Sequence, residues 1–85
     1  MKTFEYTVKD ELGLHARPAG LLVKEVGKYK SHVSLTKEGK KVDASRLMAV
    51  MSLGVKKGQI VKVEVEGEDE ADAAAGLSAF FKSNL

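Results

Sequence analysis

Gly13-Leu14-His15-Ala16-Arg17-Pro18 sets an imidazole at the point where a loop turns into a helix. The first four backbone N–H groups at such a junction have no intrahelical partner, and the peptide dipoles leave about half a positive charge there. An anion, phosphate above all, is attracted to that place. With His15 near the N-cap, Pro18 falls in the first turn, where its missing N–H costs no hydrogen bond. Ala16 contributes a backbone N–H at the helix start, Arg17 a permanent cation whose fork fits phosphate oxygens, and Gly13 the backbone freedom to present the ring. A neutral imidazole is a competent nucleophile near pH 7, and a phosphoramidate on its nitrogen stays reactive enough to hand the group onward. The amides and Arg17 would stabilise the in-flight phosphoryl group by fixed electrostatics. No metal, cofactor or base triad is needed on the chain, and none is apparent. A single histidine near a helix start is more often structural or solvated; the glycine, arginine and proline around this one sharpen the chemical reading.

The elements that must hold this site follow from periodicity. Phe4, Tyr6 and Val8 alternate with Thr3, Glu5 and Thr7, a half-buried strand ended by Asp10-Glu11-Leu12-Gly13. From Ala16 the period changes, with Ala19, Leu22, Val23 and Val26 on one helix face and Gly27 as terminator. Gly20 weakens that helix and leaves room for close approach. Val33 and Leu35 then oppose His32, Ser34 and Thr36 in a second strand; Glu38-Gly39 turns the chain, and Lys40-Lys41-Val42 returns as a short third. Leu47, Met48, Val50, Met51 and Leu53 form a short apolar helix, with Asp43 or Ser45 as candidate N-caps and Gly54 as terminator. Val61, Val63 and Val65 alternate with Lys62, Glu64 and Glu66 in the fourth strand. A last helix begins at Glu68-Asp69-Glu70, its acids complementing the dipole, and buries Ala73, Leu77, Phe80 and Phe81, with Asn84 at the stripe's edge. The order is β-α-β-β-α-β-α. Four strands this amphipathic cannot be covered on both faces by three helices, so the expected fold is α+β: one four-stranded antiparallel sheet with three helices on one face, an open-faced β-sandwich.

Composition sets the bounds. Eighty-five residues make one domain, 1–85, too small for a deep substrate cavity, so chemistry is expected at the surface and a protein partner suits it. The absence of cysteine removes disulfides, thiolate metal sites and thiol nucleophiles, and leaves a cytoplasmic location unopposed. No secretory segment and no membrane-spanning run is visible, so no membrane insertion is expected. The net charge is +2, but six lysines lie between Lys24 and Lys41, and six of the twelve acids between Glu64 and Asp72. A solvated basic face and an acidic helix start explain this layout better than a nucleic-acid stripe, because the aromatics do not interleave with the lysines.

The stretch Gly13-Leu14-His15-Ala16-Arg17-Pro18-Ala19 resembles the active-site motif of HPr, the histidine phosphocarrier family of the bacterial sugar phosphotransferase system. Leu47-Met48-Ala49-Val50-Met51-Ser52-Leu53-Gly54 resembles that family's second motif. Length, element order and the Gly-Glu-Asp-Glu-Ala before the last helix agree, so the likeness spans essentially the whole chain. It implies that His15 accepts a phosphoryl group on Nδ1 from enzyme I, charged by phosphoenolpyruvate, and passes it to enzyme IIA domains of sugar permeases, with Arg17 as the active-site arginine. Such a protein is a carrier, not an enzyme in the strict sense. A monomer is expected, since one site must face two partners in turn.

The pattern alone leaves the second helix open. Its five apolar residues could all be core, or Leu47 and Met48 could be exposed with Val50, Met51 and Leu53 inward. The resemblance implies instead that Leu47, Met48 and Met51 form a partner surface, with Gly20 and Lys24 of the first helix extending it. The chain departs from the family at one notable place: Arg46 stands where a regulatory serine is usual. Ser45 is one residue away, a turn of about 100° along a helix, and is no safe substitute. The serine switch is therefore expected to be absent or altered. His32 reads as an ordinary solvated histidine. Two rivals remain: a specialised paralogue in a dedicated or regulatory phosphorelay, which Arg46 keeps open, and a pure binding module, for instance for RNA, which leaves the His15 motif unexplained.

Overall fold

Alternation of β-branched residues with charged ones builds a sheet with one apolar and one polar face, and the helices close the apolar one. The computed structural model describes the chain from Met1 to Leu85. Its elements are β1 (Lys2–Thr7), α1 (Ala16–Val26), β2 (His32–Lys37), β3 (Lys40–Asp43), α2 (Leu47–Ser52), β4 (Ile60–Glu66) and α3 (Glu70–Asn84), the expected order. All pairings are antiparallel and the strand order is β1-β4-β2-β3. β4 lies inside, pairing Val63 with both Phe4 and Leu35, and Val65 with Val33. This is the open four-stranded sheet with three helices that the sequence pattern predicts.

One cluster of 18 buried residues forms the core. Val33, Leu35, Val61, Val63 and Val65 give the sheet side; Ala19, Leu22 and Val26 of α1, Val50 of α2, and Ala73, Leu77 and Phe81 of α3 give the helix side. Phe81 is the largest of them, and Phe4, Tyr6 and Phe80 stand around its ring at centroid distances of 5.9, 5.5 and 6.1 Å. On the polar face Lys41 pairs with Glu64 at 3.3 Å. Ser34, in the middle of that face, is buried because its short side chain lies among longer neighbours. No helix is long and apolar enough to cross a membrane.

The start of α2 differs from the expected one. Neither Asp43 nor Ser45 caps it: the N-cap is Arg46, extended at φ −112°, with no side-chain cap. Asp43 is spent earlier, its carboxylate accepting from the Ser45 amide (2.8 Å) and hydroxyl (2.6 Å) in a tight turn. Of the arrangements left open for the apolar residues, the one with Met51 outward, which the resemblance implies, is present. Val50 and Leu53, three apart, take the buried side, which leaves Leu47, Met48 and Met51 on the outside.

Candidate functional site

The loop before α1 is held by backbone contacts that present His15. Gly13 has φ +68° and lies so close to the Val55 carbonyl that a Cβ would collide with it. The Leu14 amide donates to the Val55 oxygen at 2.9 Å, and the Gly13 amide to Asp10 O at 2.9 Å. Only glycine fits both the positive φ and this approach. Leu14 is then buried as an anchor, and the next residue emerges at the surface.

His15 is the N-cap of α1, extended at φ −84°, ψ −176°, and its imidazole makes no capping bond. Its carbonyl accepts the Ala19 amide at 3.0 Å, the first N–H the helix satisfies. The amides of Ala16 and Arg17 therefore stand free at the positive end of an 11-residue helix, with no acid in the first turn. Pro18 is the third helical residue, buried, and lacks the N–H that would have been orphaned. Arg17 is exposed and forms no ion pair.

His15, Arg17 and Pro18 line one shallow depression of about 270 Å³ together with Asp10, Leu21, Ser83 and Asn84. Sequence reasoning did not place those four at the site. Asp10 was legible only as a strand breaker, yet its carboxylate oxygen lies 3.8 Å from His15 Nε2. It is well anchored there: its Oδ1 accepts the Leu12 amide at 2.8 Å, and its own amide donates to the Leu85 oxygen at 2.8 Å. That last bond brings the end of α3 against the site, where Asn84 Nδ2 donates to Phe80 O at 3.0 Å.

The chain from residue 2 to residue 83 matches the family model described as the PTS HPr component phosphorylation site. The chain belongs to the HPr family. It is 39% identical to the phosphocarrier protein HPr of Xylella fastidiosa over 100% of this chain and 96% of that one. Among solved structures, HPr of Thermoanaerobacter tengcongensis superposes with a TM-score of 0.93 at 42% identity, covering 99% of this chain and 94% of the other. Crh of Bacillus subtilis, a catabolite-repression protein forming a swapped dimer, gives 0.79 at 40%, covering 100% and 98%.

The apolar residues that the resemblance assigns to a partner surface are exposed. Met48 is 76% exposed, Leu47 41% and Met51 36%, all on one side of α2. Leu21 of α1 is also exposed. At Gly20 an added Cβ would meet nothing within 4 Å, so no other part of the chain packs there. Lys24 is exposed in the last turn of α1. The other lysines of the basic run are mostly engaged within the chain. Lys28 pairs with Glu25 at 2.9 Å, Lys30 with Glu68 at 3.7 Å and Lys41 with Glu64, while Lys37 and Lys40 bond backbone carbonyls. Lys28 lowers the pKa of Glu25 by its hydrogen bond, and Glu25 in turn raises that of Lys28.

Proposed function

We propose that the chain carries a phosphoryl group on His15 Nδ1, taking it from phosphoenolpyruvate-charged enzyme I and giving it to enzyme IIA domains of sugar permeases. The observation that carries this reading is an imidazole at the N-cap of α1 with no capping bond of its own, set before the free amides of Ala16 and Arg17. In the forward step the Nδ1 lone pair attacks phosphorus while the bond from phosphorus to the donor breaks, and the donor leaves with that electron pair. The ring becomes an N-phosphoimidazolium whose Nε2 proton faces Asp10. Arg17 and the helix amides hold the phosphoryl oxygens, and delivery to the acceptor reverses the sequence. The chain is thus a carrier acting as a monomer in the cytoplasm, its single domain spanning 1–85, with docking through Leu47, Met48, Met51, Gly20 and Lys24.

Arg46 supports the loss of serine control. The nearest hydroxyl, Ser45, is exposed but donates to the Asp43 carboxylate, held below its usual pKa by that bond first and by the Ser45 amide next. A phosphate added to Ser45 would meet that fixed negative charge. The same Arg46 favours a second reading, a specialised paralogue with its own recipients; transfer tested against several enzyme IIA proteins separates the two.

The test is intact mass after incubation with enzyme I, magnesium and phosphoenolpyruvate. One acid-labile, base-stable phosphate on the wild type and none on His15→Ala is expected. No modification, with enzyme I active on a standard HPr, would overturn the general-carrier reading.

A further inference from the structure

The helix that offers the apolar docking face has little of its own to hold it in place. α2 is six residues long, with no side-chain cap at its start and no basic residue in its last turn. A helix this short does not persist by itself. Val50 and, just beyond its end, Leu53 anchor it to the core, while Leu47 and Met51 are only partly covered and Met48 is mostly exposed.

Its C-terminal end is held from elsewhere. Lys37 Nζ donates to Gly54 O at 3.0 Å and Lys40 Nζ to Ser52 O at 3.1 Å. These oxygens lie at the negative end of the helix dipole, where the last carbonyls lack intrahelical donors and a cation is favoured. Both lysines come from the β2–β3 hairpin, where they are directly paired across the strands. The turn between them is the tightest available, with Glu38 at φ +49° and Gly39 at φ +85°. Two like charges placed opposite each other destabilise a hairpin unless something absorbs them. Here the Ser52 carbonyl at the end of α2 and the Gly54 carbonyl two residues on each take one ammonium group. The clamped Gly54 also adjoins Val55, whose oxygen receives the Leu14 amide beside His15.

We propose that Lys37 and Lys40 are positioning residues for phosphoryl transfer: they clamp the C-terminal end of α2 and so fix the apolar face that partners meet. This rests on the phosphocarrier reading and adds to it two lysines that touch neither the phosphoryl group nor, by this account, the partner.

Met at each position keeps an apolar stem and removes the charge and the donors. In the Lys37→Met/Lys40→Met double variant, amide hydrogen exchange at Leu53 and Gly54 should accelerate by about three- to twenty-fold, from two cation–dipole contacts at an exposed helix end. The KM for enzyme I should rise by a similar factor with kcat unchanged, and Lys37→Arg/Lys40→Arg should restore both. A raised KM with unchanged exchange would overturn the proposal by making the lysines direct partner contacts. Faster exchange with unchanged KM would reduce the clamp to a structural one, and no change in either would dismiss it. If the wild type accepts no phosphate at all, the carrier reading falls, while the exchange rates still decide whether the clamp exists.

Discussion

The chain contains two helix N-termini of ordinary length, and they are treated in opposite ways. At α3 the N-cap is Asp69 and the first turn holds Glu70 and Asp72, so negative charge meets the dipole. Glu70 accepts the Gly67 amide at 3.3 Å. The Asp69 carboxylate reaches across the fold to the Lys30 and Ser31 amides, both at 2.9 Å, and to the Ser31 hydroxyl at 2.5 Å. At α1 the first turn has no acid, the N-cap side chain makes no capping bond, and the charges nearby are the Arg17 cation and, from the preceding loop, the Asp10 carboxylate at 3.8 Å from His15 Nε2. One helix start is neutralised by its own side chains and locked into the structure. The other has no acid in its first turn and no side-chain cap, and His15 is placed on it.

Arg17→Ala should break the α1 side of this contrast most severely. Phosphoryl transfer should fall by about 10- to 100-fold, as for the loss of one transition-state donor, while thermal unfolding stays unchanged because Arg17 has no partner in the fold. Ala16→Asp makes α1 resemble α3. An acid in the first turn should stabilise the helix by about 0.3–1 kcal/mol yet slow transfer several-fold, read from the same rate assay beside a melting curve.

The mirror experiment at α3 is Asp69→Asn, which should lower the melting temperature and leave the transfer rate per folded molecule alone. Its pH dependence is fixed in sign. The Ser31 hydroxyl first, and the Lys30 amide next, hold the Asp69 pKa below the usual carboxylate value. A depressed folded pKa gives stability that is full above the unfolded value and lost as pH falls through the folded one. The gap in melting temperature between wild type and variant should therefore be widest at neutral pH and close below about pH 4. The smallest effect is expected at Gly20→Ala. The site is open, so the helix should gain about 0.5–1 kcal/mol, while an unchanged KM for enzyme I would place Gly20 outside the docking face.

How much of this was legible beforehand depended on range along the chain. Alternation at Val61–Val65 and the spacing of Ala19, Leu22 and Val26 each report a local period, and the elements they predict are present. His15 was singled out because Gly13, Arg17 and Pro18, all within three residues of it, are of the types a phosphate site uses. Asp69 was read only as a dipole partner, since nothing local ties it to Ser31, 38 residues away. Asp10 beside His15, Asn84 at the rim of the depression, and the reach of Lys37 and Lys40 to α2 likewise depend on how the sheet and helices pack. Met51 was undecidable from pattern because a six-residue helix is too short for periodicity to fix its inward face.

The central claim, that the free N-terminus of α1 receives the phosphoryl group, is tested most directly by nitrogen-15 and phosphorus-31 NMR of the phosphorylated protein. Phosphorus should be bonded to His15 Nδ1, with the largest amide shifts at Ala16 and Arg17 and none at the start of α3. Phosphorus on Nε2 or on His32, or a phosphorylated His15 that leaves those two amides unmoved, would contradict it.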